Sequence, residues 1–174
     1  EDKPRGLAWN LTQRRAGAGI KYDYFIDDRW YALATTRVLG ATFANIDLRL
    51  TAGIGVGYTV IDEEDMTLVT EAGLSYVDES YRDGSPSDDY MAARVAYKLT
   101  KQINESTRLQ HGVEAYPSLE NKDDIYLQMK TELATNLTST MFAALTHTMD
   151  YDNTPAPGSR RDDHRVLLSI GWTF

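Results

Sequence analysis

Residues 47–61 read DLRLTAGIGVGYTVI, and they alternate without a break. The even positions are Leu48, Leu50, Ala52, Ile54, Val56, Tyr58 and Val60. The odd ones are Asp47, Arg49, Thr51, Gly53, Gly55, Gly57 and Thr59. Successive side chains of a strand point to opposite faces, so this period of two makes one face wholly apolar and the other polar or glycine. A helix would scatter the same residues around its circumference. The stretch reads as a strand between two different environments. From Leu48 to Tyr58 it runs about 33 Å, which at a tilt of about 40° projects to about 25 Å, the height of the apolar band of a membrane barrel.

The pattern recurs on both sides. Residues 14–26 set Ala16, Ala18, Ile20, Tyr22 and Tyr24 against Arg15, Gly17, Gly19, Lys21 and Asp23. Residues 66–77 set Leu68, Ala72, Leu74 and Tyr76 against Glu71, Gly73 and Ser75. Residues 90–99 set Met91, Ala93, Val95 and Tyr97 against Arg94 and Lys98. Residues 125–135 set Ile125, Leu127, Met129 and Leu133 against Gln128, Lys130 and Glu132. The last eleven residues set Val166, Leu168, Ile170, Trp172 and Phe174 against Arg165, Ser169, Gly171 and Thr173. Segments 29–39, 105–118 and 139–151 alternate less cleanly. Nine strands result. Tight connections at Asp27-Asp28, Asp62–Asp65, Lys101–Asn104 and Asn136–Ser139 take turns with longer polar loops near 40–46, 80–89, 119–123 and 152–162. This is an all-β, antiparallel up-and-down meander, with short turns at one end and loops at the other.

A length of 174 residues fits one domain. The absence of cysteine rules out disulfides and thiolate metal sites, and a net charge of −8 argues against nucleic acid as a partner. His111, His147 and His164 are scattered singly, without the spacing of a metal site, and no cofactor is implied. Mean hydropathy is −0.44 and no apolar run is long enough for a membrane helix. Neither excludes a membrane barrel, in which only alternate residues meet lipid. The chain opens Glu1-Asp2-Lys3-Pro4-Arg5 with no signal peptide, so it is expected to be processed or part of a longer protein.

A soluble lipocalin-like barrel would also alternate, with its apolar face inward. Strand length favours the membrane, because about 11 to 15 residues greatly exceeds the usual 5 to 6. Aromatic placement does too. Tyr24, Trp30, Tyr58, Tyr97, Trp172 and Phe174 fall at the short-turn end, the place of an interfacial girdle. Charges recur on the polar face at Lys21, Arg49, Glu71, Arg94, Lys98, Glu114, Lys130 and Glu132, which reads as a charge-paired lumen. A hairpin centred near Gly84-Ser85 would set Glu71 opposite Lys98, and Glu114 is expected near Lys130.

The segments RAGAGIKYDYF (15–25), LRLTAGIGVG (48–57), LVTEAGLSYVDESY (68–81), EAYPSL (114–119) and YDNTPAPG (151–158), with the ending Gly171-Trp172-Thr173-Phe174, resemble the salt-induced outer-membrane protein family. The resemblance runs from about Arg14 to Phe174. It implies a Gram-negative outer-membrane barrel and supplies no substrate, cofactor or active-site residue. It also implies about three more strands before Arg14, a barrel of about twelve. Residues 1–13 are then an N-terminal segment, with Gly6–Thr12 the tail of a preceding strand, and 14–174 the barrel domain.

No local catalytic constellation accompanies this. Outer-membrane phospholipases use a Ser/His pair one pleat apart on the lipid-facing wall. Beside His111 stand Leu109 and Val113, and beside His147 stand Leu145 and Met149. The acidic pairs Asp62–Asp65, Asp88-Asp89, Asp123-Asp124 and Asp162-Asp163 read as solvated turns and loops. The expectation is a structural or envelope-stress barrel with a charge-lined lumen, not an enzyme. A small-solute or ion channel is the alternative. Its partners would be outer-membrane lipid and lipopolysaccharide, the outer-membrane assembly machinery reading a C-terminal signal at Phe174, and a larger outer-membrane assembly of which it would be one subunit.

Overall fold

The computed structural model describes residues 15–41, 46–82, 84, 86–155 and 160–172. Among them are nine strands: β1 (Arg15–Phe25), β2 (Trp30–Ala41), β3 (Ile46–Asp62), β4 (Met66–Tyr81), β5 (Asp88–Asn104), β6 (Thr107–Pro117), β7 (Ile125–Asn136), β8 (Met141–Asp152) and β9 (Asp162–Trp172). They form one sheet in sequence order, each strand antiparallel to the next. No helix occurs among the described residues. The expected tail at Gly6–Thr12 lies outside them, and β1 and β9 each have one strand neighbour among them.

The short turns close locally. Between β1 and β2 the Asp27 carboxylate accepts the backbone N–H groups of Arg29 (2.8 Å) and Trp30 (2.7 Å). Those two donors hold its pKa below the ordinary carboxylate value. Asn104 does the same work between β5 and β6, accepting from the N–H groups of Ser106 and Thr107. At the loop end the strands run further than alternation of apolar residues suggests. β4 continues through Asp78–Tyr81 and β5 begins at Asp88, so Asp88-Asp89 and Asp162-Asp163 are strand residues, not loop residues. The reason lies inside the sheet: Glu79 and Tyr90 face inward there and find partners, so a polar sequence still pairs as strand.

The faces divide by parity. Leu48, Ile54, Val56, Leu74, Val95, Leu168 and Ile170 are exposed on the outward face, Ile54 by 69%. Arg49, Ser75, Val77, Glu79, Ala92 and Arg94 are buried on the inward face. Segment 29–39 alternates poorly because Tyr31, Leu33 and Leu39 are apolar and buried on the inner side too.

The sheet curls until its inner faces meet. Arg49 of β3 lies 3.4 Å from Asp152 of β8, and Arg37 of β2 donates to Gln128 of β7 at 2.5 Å. Glycine permits a close approach of β3 and β4. Gly55 faces Gly73, and a Cβ on Gly73 would collide with the Ile54 carbonyl and the Gly55 Cα, both backbone. Two strands approach there as only bare backbone allows.

Candidate functional site

Every inward charge must find a partner or remain in water, because an unpaired buried charge is costly. A belt of such pairs crosses the middle of the bore. Lys21 of β1 meets Glu71 of β4 at 2.7 Å, and Glu71 meets Arg94 of β5 at 2.8 Å. Arg94, 4% exposed, reaches Glu114 of β6 at 3.4 Å, which in turn meets Arg37 of β2 at 3.4 Å. Arg37 binds Gln128, Gln128 donates to Asp150 of β8 at 2.7 Å, and Asp150 pairs with Arg165 of β9. The belt thus links the first described strand to the last.

Tyr31 buttresses it. Its hydroxyl donates to Glu71 at 2.5 Å while its ring packs on Gly57, where a Cβ would overlap the ring carbons nearest the hydroxyl. Gly57→Ala is expected to push the ring away and break that bond, destabilising the fold by about 1–3 kcal/mol. A lowered urea midpoint in vesicles would register it.

Toward the loops the bore is filled. Val77, Tyr90, Ala92 and Tyr116 pack together with Tyr126 against them. Arg49 lies across this cluster, 2.5 Å from Glu79 and 4.4 Å above the Tyr126 ring. A void among the described residues, bounded by Arg37, Arg49, Val77, Tyr90, Tyr116 and Tyr126, is about 20 Å³, room for about one water. Toward the turns the bore widens into a cavity of about 490 Å³. A second cavity of about 320 Å³ is lined by β1, β2 and β3 together with β5 and β6, and Lys21, Arg37, Arg94 and Glu114 of the belt line both.

All eight charges anticipated from sequence stand on the inner face, but not all in the anticipated pairs. Glu71 is opposite Ala96, and Lys98 is opposite Val69. The β4–β5 register is two residues from the one expected, and Glu71 takes Lys21 and Arg94 instead. Glu114 faces Gln128, while Lys130 pairs with Glu132 at 2.9 Å. Sequence reading missed Tyr31, Arg37, Glu79, Asp150, Asp152 and Arg165 as network members. Arg165 was placed on the correct face, but strand-crossing partners depend on curvature, which alternation does not encode.

On the outward face Trp30, Tyr58, Thr70 and Tyr97 share one row near the turns, with the Trp30 and Tyr58 rings 4.7 Å apart. Tyr24 and Trp172 are exposed on the same side. Phe174 lies outside the described residues. The histidines are not all isolated: His147 Nε2 and His164 Nδ1 are 3.2 Å apart on neighbouring strands, their rings parallel. Seventeen residues of sequence separate them, so only the register reveals the pair. His111 bonds Tyr97 and Thr131, each at 2.8 Å. Among the described residues no three histidines or carboxylates gather as a metal site.

The sequence pattern of a family described as a protein of unknown function, DUF481, matches residues 9–174. The chain belongs to that family. Its description is coarser than the salt-induced outer-membrane family the sequence resembles. No curated protein matches the chain. Among solved structures the NanC porin, in a rhombohedral crystal form, aligns with a TM-score of 0.59 at 10% identity, covering 92% of this chain and 79% of that one. At that identity the likeness is one of fold: a nine-stranded antiparallel meander resembling a porin wall.

Proposed function

We propose that the chain forms most of an integral outer-membrane β-barrel of a Gram-negative cell, a structural or envelope-stress component whose lumen is closed at the loop end. One observation carries the closure: Arg49 spans from Glu79 to Asp152 over a packed cluster of three tyrosines, Val77 and Ala92. Membrane residence is supported by the exposed outward set, from Ile20 on β1 to Ile170 on β9, which is too extensive for a soluble surface. The edges of β1 and β9 support completion by further strands; about three would give twelve. Lipid and lipopolysaccharide then surround the barrel, alone or within a larger assembly, and no catalytic role is assigned to it.

A small-solute channel is the second reading, favoured by the 490 Å³ cavity and by the fold shared with a porin. Planar-bilayer recording of the purified full chain separates the two. A small or absent conductance supports the closed barrel; a large, steady pore removes it. The C-terminal strand is proposed to carry the signal for the assembly machinery, with Trp172, Ile170 and Leu168 exposed on one face of β9. Deleting Phe174 is expected to reduce insertion without reducing synthesis, compared by fractionation and immunoblot. Unchanged insertion would leave Phe174 no such role.

A further inference from the structure

The cavity on the turn side of the belt differs in charge from the protein around it. Its lining includes six cations, Lys21, Arg37, Arg94, Lys98, Lys130 and Arg165. Four carboxylates accompany them, Glu71, Glu114, Glu132 and Asp150. The chain as a whole carries −8, so an excess of two positive charges here is a local inversion.

The carboxylates are also the better satisfied partners. Glu71 takes Lys21, Tyr31 and Arg94; Glu114 takes Arg37, Arg94 and Tyr116. Glu132 takes Lys130 and Thr146, and Asp150 takes Arg165, Gln128 and Tyr126. The cations have donors left over. Lys98 has no carboxylate within ion-pair distance among the described residues, and Lys130, with three donors, has Glu132 alone.

The registers place these two lysines with care. Lys98, Gly112, Lys130, Thr148 and Arg165 form one inward row across β5 to β9. Lys98 and Lys130 thus flank Gly112, about 9.5 Å apart at the backbone given the spacing of adjacent strands. Gly112 leaves a bare floor between them: a Cβ there would meet only the Tyr97 carbonyl oxygen, at 3.4 Å. Gln110, two residues from Gly112 on β6, and Thr148, beyond Lys130 on β8, are also in the lining and offer an amide and a hydroxyl.

We propose that this floor binds a small organic anion bearing carboxylate, sulfate or phosphate oxygens, held over Gly112 between Lys98 and Lys130. A volume of about 490 Å³ lies within the 300–1,000 Å³ usual for small-molecule sites. Charge-assisted bonds from two ammonium groups to such oxygens are stronger than neutral ones, and the partly enclosed bore weakens competition from water. The inference rests on the barrel reading above, and it adds a ligand class to the turn side of a lumen closed at the loop end.

Calorimetric titration of citrate into the full chain in detergent micelles at low ionic strength tests it, with spermine as the opposite-charge probe. Saturable citrate binding and no spermine binding are expected. Lys98→Gln and Lys130→Gln should each weaken it about tenfold, the effect of losing one charged bond. Gly112→Val should abolish it by filling the floor, with the β-sheet circular dichroism of the wild type retained. Lys101→Gln, outside the cavity, should change nothing. Absent saturation in well-folded protein overturns the site, as does binding indifferent to the double lysine substitution or spermine binding in place of citrate. Bilayer conductance reads the Arg49 closure and does not involve Lys98 or Lys130, so failure of the barrel reading and failure of the anion site are told apart.

Discussion

Replacing Arg49 with alanine is expected to destabilise the barrel by about 3–5 kcal/mol, the usual effect of breaking one side of a buried ion pair. Arg49 is 6% exposed and Glu79 is 5% exposed, so neither recovers hydration when the other is lost. Truncation leaves Glu79, among the described residues, the hydroxyls of Tyr81 and Tyr90, at 3.1 and 3.5 Å, and frees Asp152 and the Tyr126 ring from their shared cation. A second effect follows from position. The guanidinium ties β3 to both β7 and β8 across the loop end, and on the proposed closure its removal should open a water path beside a void of about 20 Å³. Urea unfolding in lipid vesicles measures the first effect, and single-channel recording the second. Arg49→Ala with Glu79→Gln should recover much of the stability, because the amide keeps its hydrogen bonds without a charge to strand. It should not restore closure. Wild-type stability in Arg49→Ala would mean that water already reaches Glu79; unchanged conductance would place the closure elsewhere.

The strands were legible because the physics that makes them acts residue by residue. Outward positions must be apolar in a membrane, and the run Leu48 to Val60 obeys at every even position. Strand ends were less legible where an inward polar group found a partner from another strand, as Glu79 does with Arg49. Face was legible for Arg94, Lys98 and Lys130; partner was not. A two-residue shift in the β4–β5 register preserves every face, so alternation cannot detect it, yet it moves Lys98 from Glu71 to Val69. Pairs across the bore, such as Arg37 with Gln128, require the curvature of the sheet, which alternation does not encode. The row of Lys98, Gly112 and Lys130 was hidden for the same reason: three residues on three strands become neighbours only through two registers.

Ile54→Arg is expected to cost about 2–4 kcal/mol, the penalty for arginine on the lipid face near the bilayer midplane of a barrel. Ile54 sits at the centre of β3 (Ile46–Asp62) and is 69% exposed on the outward face. Its environment is therefore decided by what surrounds the barrel. In water an arginine there would be better solvated than isoleucine, and the change would fall within about 0.5 kcal/mol, as for most surface substitutions. In lipid the guanidinium must leave water or drag water with it. The midplane position maximises the difference, since about eight residues separate Ile54 from either end of its strand, and snorkelling that far exceeds the reach of one side chain. Leu119→Arg is the matched control. Leu119 is 58% exposed, but it lies in the connection between β6 and β7, beyond the strand ends, where the same substitution should have little effect in either solvent. Reversible urea titrations in vesicles give both values. A large loss at Ile54 beside a small one at Leu119 requires an apolar solvent outside β3; equal, small losses at both would put water there and end the membrane reading.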